Sequence, residues 1–180
     1  MIETARLILR PWREADRAPF AALNADPEVM AHFPALLTRQ ESDASVDREA
    51  AHIAAHGRGF MALERREDGA FLGFVGVKAS PADLPFAGAP EIGWRLARHA
   101  WGRGYASEAA RAALADAFAR GAQRVLSFTA ATNGRSQAVM ARIGLERRPE
   151  LDFDHPALPR GHRLECHLVW ALDAPAHPLA

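Results

Sequence analysis

Apolar residues recur along this chain with two periods, and each period marks a kind of element. The run Leu7-Ile8-Leu9 predicts a strand that Pro11 ends. Residues 12–25 carry a helical pattern, with Asp26-Pro27 as the turn beyond it. Thr38 followed by Glu41 is a capping box that opens a helix to about His56, stopped by Gly57 and Gly59. Residues 60–66 and 71–79 read as strands joined by Glu67-Asp68-Gly69, whose Asp-Gly step is hairpin turn chemistry. Residues 80–90 hold three prolines and a glycine, so a loop leads into a further strand at residues 91–97. Beyond it, Ala106, Ala109, Ala110, Ala113, Leu114, Ala117 and Phe118 fall on one helical stripe that ends at Gly121. So much alanine on the buried side brings that helix close to whatever it covers. Residues 124–130 predict a strand, 135–143 a helix and 145–149 a strand start, while prolines break up residues 151–162. Leu164, Cys166, Leu168 and Trp170 alternate with polar neighbours, which predicts a half-buried final strand with Cys166 in the core. We expect one domain over residues 1–172 and a frayed tail over 173–180.

Composition narrows the classes. The chain has 180 residues, enough for one domain with its own core. Lys plus Arg and Asp plus Glu balance at 22 each, so no global field attracts nucleic acid or an anionic membrane. Arg65-Arg66 and Arg147-Arg148 are the local basic clusters, equally well read as solvated strand ends. No apolar run reaches the length of a membrane span. The single cysteine, Cys166, excludes an internal disulfide and suits a reducing cytoplasm. His52 and His56 lie four apart on a helix but have no third ligand nearby in sequence, and His155, His162 and His167 fit no zinc spacing, so no metal is expected.

The chemistry concentrates between Glu91 and Ala109. A strand gives way to Trp101-Gly102-Arg103-Gly104, and then a helix begins. Glycines at such a step admit positive φ and a close approach, and the helix start offers unpaired N–H groups to an anion. A dinucleotide fingerprint would need a third glycine where Ser107 stands, and a Walker loop would need Gly-Lys-Ser/Thr, which is absent.

What fits over its full length is the acetyl-CoA motif Gln/Arg-x-x-Gly-x-Gly/Ala, here His99-Ala100-Trp101-Gly102-Arg103-Gly104, departing only at its first position. Trp101-Gly102-Arg103-Gly104-Tyr105-Ala106-Ser107-Glu108-Ala109 and Asn133-Gly134-Arg135-Ser136 together resemble the GNAT acetyltransferases, in particular the branch of RimJ and RimL. The opening strand Thr4 to Trp12 also looks like theirs. The resemblance implies an α/β fold: a strongly twisted, mixed and mostly antiparallel sheet with helices on both faces and acetyl-CoA in a gap between two central strands. It implies direct transfer of an acetyl group to a primary amine, on a protein N-terminus or a small molecule, by a monomer or homodimer. The alternative is a non-catalytic acyl-CoA-binding or regulatory module.

Carried over residue by residue, the main-chain groups of Trp94, Arg95, Leu96 and Ala97 would face the pantetheine arm and thioester. His99, Gly102, Arg103, Gly104, Tyr105 and Ala106 would line the pyrophosphate, with Arg98 and Arg103 adding charge or standing merely solvated. Asn133 would bond the pantetheine amides. Glu91 is the first choice of general base, against the reading of a solvated strand-end carboxylate, with Asp154, His155 and Glu165 in reserve. The sole tyrosine lies in the phosphate loop, so Ser136 takes the role of acid to the departing thiolate, or else caps its helix. Phe33, Asp154 and His155 are the candidate acceptor contacts, and clustered Asp83, Asp152 and Asp154 would suit a polycationic acceptor.

Overall fold

A computed structural model describes residues 1–174. Nine strands form one sheet: β1 (Ile2–Glu3), β2 (Leu7–Arg10), β3 (Phe60–Arg65), β4 (Phe71–Ala79), β5 (Pro90–Leu96), β6 (Arg124–Ala130), β7 (Glu146–Arg147), β8 (Phe153–Asp154) and β9 (Cys166–Asp173). Four helices accompany them: α1 (Arg17–Asn24), α2 (Arg39–His56), α3 (Tyr105–Ala119) and α4 (Gly134–Arg142). The strand order is β1-β2-β3-β4-β5-β6-β9-β7, with β8 also on β9. Every pairing is antiparallel except β5 with β6.

Two apolar layers hold the sheet. Ala109, Ala110, Ala113, Leu114 and Ala117 of α3 pack on Leu7, Leu9, Leu63, Leu72, Val75 and Ile92, all buried. Each fully buried branched side chain there contributes about 1.5–3 kcal/mol relative to exposure. On the opposite face Phe20, Leu23, Val29 and Val46 meet Trp12, Phe71 and Phe74. Phe71 and Phe74 can share a face because β4 carries a register shift opposite Leu63 and Glu64, next to Gly73 at φ 134°.

Local signals explain the turns. Thr38 accepts from the Glu41 N–H while Glu41 accepts from the Thr38 N–H, so the capping box forms. Gly57 ends α2 at φ 68°, and Gly69 turns the β3–β4 hairpin at φ 71°.

Three expectations are corrected. The helix expected from Trp12 begins only at Arg17, after a 3-10 turn at Glu14–Asp16, because Trp12 is held back by its indole N–H on the Phe60 carbonyl at 2.8 Å. In β9 the buried positions are His167, Val169 and Ala171, whereas Cys166 is exposed. The strand also runs through Asp173, into the expected tail; Asp173 pairs with Arg124, and the strand lies between β6 and β7. The rest of the expected tail, residues 175–180, lies outside the described residues.

Candidate acyl-CoA site

The site exists because β5 and β6 part. Parallel pairing holds only at Glu91 with Leu126. One rung on, the Ser127 hydroxyl donates to the Ile92 carbonyl at 2.8 Å, and beyond that the strands splay. Alternate residues of a strand turn their N–H and C=O to the same side. The Ala97 N–H goes to Leu72 of β4 at 2.9 Å, and Arg95 pairs with Phe74, so both are committed away from the gap. Trp94 and Leu96 therefore face it, and the Leu96 carbonyl takes the Trp101 indole N–H at 2.9 Å. Of the four main-chain positions expected to bind pantetheine, two are available and Arg95 and Ala97 are not.

At the end of this gap stands the start of α3. Gly102 and Gly104 adopt φ 72° and 78°, where an L side chain would be strained. Among the described residues, no backbone or side-chain acceptor is bonded by the N–H groups of residues 102–107. The Tyr105 side chain points into the core, leaving its amide for the loop. Arg103 and His99 do not line the cleft; the Arg103 Nε donates to the His99 carbonyl at 3.2 Å. Arg98 is drawn off by Asp26 and Glu28 and brings no free charge to the phosphates.

Sequence reasoning missed what braces this loop. Glu108, in the first turn of α3, accepts from the Thr4 hydroxyl at 2.6 Å, the Arg6 N–H at 3.0 Å and the Arg6 Nε at 2.7 Å. Arg6 Nη1 also reaches the Arg103 carbonyl at 3.1 Å. Burial opposes the Glu108 charge, yet the hydrogen bonds from Thr4 and Arg6 outweigh it and hold the carboxyl below its ordinary range. The only signal in the sequence was Thr4-Ala5-Arg6 between β1 and β2. Arg6→Ala should weaken coenzyme A binding about 3–10-fold, the loss of one or two charge-assisted bonds, measured by calorimetric titration; unchanged affinity would show that the loop holds itself.

The gap opens into a cleft of about 1430 Å³ lined by Glu91, Trp94, Arg95, Leu96, Trp101, Asn133, Ser136, His155 and Phe33, among others. Asp154 and Glu165 are not part of it. Asp154 is exposed at the end of β8, and Glu165 accepts from the Gly161 N–H. Nor do the expected carboxylates cluster: Asp83 is exposed away from the cleft, and Asp152 is bound by Arg147 at 2.8 and 2.7 Å. Asn133 caps α4, accepting from the Ser136 N–H at 3.2 Å and donating to Thr129 Oγ1 at 3.0 Å. Both ends of its amide are thus used inside the protein, and Ser136 is not the cap.

Glu91 lines the cleft from the start of β5. It lies opposite Lys78 on β4, but Lys78 is shared with Glu49 at 2.6 Å and sits over the Phe60 ring at 4.3 Å. Burial is the dominant influence and lifts the Glu91 carboxyl from 4.5 to about 7, against the smaller opposing effects of Lys78 and Ser80. A carboxyl poised near neutrality in a cleft can take a proton and return it.

A family model described as an acetyltransferase (GNAT) domain matches residues 6–146. The chain belongs to the GNAT acetyltransferase family. An uncharacterized protein of Bacillus subtilis (strain 168), YkkB, is 34% identical over 112 residues. That match spans 62% of this chain and 64% of YkkB, short of two thirds of the relative's length. An acetyltransferase from Agrobacterium tumefaciens str. C58 superposes with a TM-score of 0.76 at 27% identity, covering 95% of this chain and 92% of that one. RimL, a ribosomal-protein alpha-N acetyltransferase solved in complex with coenzyme A, gives a TM-score of 0.73 at 16% identity over 94% and 95% of the two chains, a likeness of fold.

The residues present suit the acyl-CoA of this family. Unpaired amides at residues 102–107 fit a pyrophosphate, and the free edge of Trp94 and Leu96 fits an amide-rich arm. Among the described residues no group of three or more potential metal ligands occurs, and no helix is long and apolar enough to cross a membrane.

Proposed function

We propose that this chain transfers an acetyl group from acetyl-CoA to a primary amine by direct attack, with Glu91 as general base. The observation that carries this reading is the Glu91 carboxyl, raised to about 7 by burial, in the same cleft as the splayed β5–β6 edge and the α3 N-terminus. Acetyl-CoA, when bound, supplies an activated acyl group as a thioester. Gly102, Gly104, Tyr105 and Ala106 would hold the pyrophosphate through their N–H groups. The Trp94 N–H faces the gap and is positioned to polarise the thioester carbonyl, a donor aimed where negative charge develops.

A primary amine titrates near 10, so most of it arrives protonated at neutral pH. Glu91, as carboxylate, accepts that proton and leaves the nitrogen lone pair free to attack. Ser136 lines the cleft and its hydroxyl has no partner among the described residues, which suits it to protonate the departing thiolate. Phe33 and His155 border the acceptor end. The amine belongs to a protein N-terminus or a small molecule, and the exposed lone cysteine suits a cytoplasmic setting.

Coenzyme A release from acetyl-CoA against N-terminal peptides, amino acids, polyamines and aminoglycosides tests this. Turnover on one class is expected, with Ser136→Ala lowering kcat by about 3–30-fold while acetyl-CoA still binds. Binding without turnover on any amine would leave a non-catalytic acyl-CoA module as the reading.

A further inference from the structure

Arg95 is a buried guanidinium without a carboxylate. It lines the cleft from β5, on the strand face it shares with Glu91 and Gly93, since residues two and four apart point the same way. Nη1 donates to the Asn24 Oδ1 at 2.6 Å, a neutral acceptor. Nε is buried with no partner, and Nη2 has none among the described residues. The guanidinium carbon lies 3.9 Å from the Phe33 ring centroid and 5.6 Å from that of Phe74. Asn24 is itself fixed, fully buried, by its amide N–H on the Ser42 hydroxyl at 2.9 Å. Burial drives the Arg95 pKa down to about 10, so the charge is strained but present at neutral pH.

Most other arginines of this protein already have carboxylates: Arg10 has Asp16 and Glu64, Arg98 has Asp26 and Glu28, and Arg147 has Asp152. Arg95 is held in one plane by aromatic rings and one amide, with its remaining N–H groups unused and its own charge uncompensated. A buried charge left unpaired is costly, and an arginine fork matches the two oxygens of a carboxylate. Gly93, between Glu91 and Arg95, carries no side chain, and a Cβ there would meet the Phe60 ring at 2.8 Å. The Phe60 ring thus lies over Gly93, between the two groups, and a ligand reaching both must pass along that ring.

We infer that the acceptor is an amine that also carries a carboxylate, its amine toward Glu91 and its carboxylate on the open side of the Arg95 guanidinium. This rests on the acetyl-transfer reading for the amine, but the anion site itself does not. Glu91 and Arg95 lie four residues apart, about 13 Å along the strand. At that separation the carboxylate belongs to an acidic side chain near a peptide N-terminus or to the far end of a short peptide, since a free α-amino acid carries amine and carboxylate on one carbon. The cleft offers a polycation only Glu28 and Glu91 as acidic groups, against Arg95, Arg135 and Arg142.

The test uses matched pairs. Amino acids and short peptides are offered as the carboxylate and as the corresponding amide, in coenzyme A release with the whole chain. In parallel, the coenzyme A complex is titrated calorimetrically with the N-acetylated forms of the same pairs, which needs no turnover. At least one pair should favour the carboxylate by about 10–100-fold, the scale of one bidentate charged contact. Arg95→Gln should bring that ratio close to one, and Arg95→Lys should restore part of it. A carboxylate preference in binding without turnover would keep this inference and sink the acetyl-transfer reading. Turnover with equal rates on carboxylate and amide, or a preference for polyamines, would overturn the inference and keep that reading. Equal binding of every pair by the wild type overturns it too, whatever the variants do.

Discussion

Glu91→Gln should lower kcat/KM for the best amine by about 10²–10⁴-fold, the range that positioned general bases contribute. Acetyl-CoA affinity should change little, because Glu91 opens β5 while the unpaired amides lie beyond its other end, at the start of α3. The wild-type kcat/KM should climb as pH rises through about 7, since the active form is the carboxylate and its pKa is lifted to that value. The variant should lose that limb and keep only the rise from amine deprotonation at higher pH. A second sign separates chemistry from folding. The Glu91 pKa is about 7 folded against 4.5 unfolded, so its contribution to stability is fully present below 4.5 and is lost as pH rises through 7. Glutamine avoids that loss. Glu91→Gln should therefore be the more stable protein at pH 9, by up to about 3 kcal/mol, and no more stable at pH 4. A drop of less than about threefold in kcat/KM with an unchanged pH limb would move the base elsewhere, first to His155.

The parts of this fold legible in the sequence are those written locally. Gly102 and Gly104 announce positive φ, the Thr38–Glu41 box announces a helix start, and Asp68-Gly69 announces a hairpin, because each depends on residues within one turn. The final strand shows the limit. Both of its faces carry apolar side chains, so Leu168 and Trp170 competed on equal terms with Val169 and Ala171, and alternation alone chose the wrong set. Burial decides such a case, and alternation along the strand does not report it.

The site divides along the same line. Glu91, Trp94 and Ser136 line one cleft, yet what lifts the Glu91 carboxyl to about 7 is burial, which no pattern displays. Arg95 and Ala97 were expected to serve through their main chain, and the register with β4 removes both. The Arg95 side chain instead meets Asn24 and Phe33 across more than sixty positions of chain. The Glu108 brace with Arg6 is separated by 102 residues. Contacts of that kind follow from the sheet order, which the sequence reading supplied only through resemblance.

Asp16→Ala should destabilise the protein by about 3–5 kcal/mol, a large share of the 5–15 kcal/mol that holds a typical domain. Arg10 and Asp16 are 3% and 2% exposed, and they meet through two parallel bonds of 2.7 and 2.8 Å. Asp16 also accepts from the Arg13 N–H at 2.8 Å, and Arg10 Nε reaches Glu64 at 2.6 Å. The pair thus ties β2 to β3 and fixes the 3-10 turn from which α1 departs. Removing Asp16 leaves a buried guanidinium with only the outer half of its partners, and that uncompensated charge is the larger part of the cost. Replacing both by apolar residues, Arg10→Met with Asp16→Leu, should recover only part of the loss, since it removes the buried guanidinium but leaves Glu64 with Arg13 alone and the Arg13 N–H without its acceptor. Urea unfolding of the three proteins measures this, with a loss below about 1 kcal/mol for Asp16→Ala refuting it. The same change should reach the site. Asn24 closes α1 and holds Arg95, so a loosened α1 should raise KM for the acceptor more than KM for acetyl-CoA, whose loop is braced separately by Arg6 and Glu108.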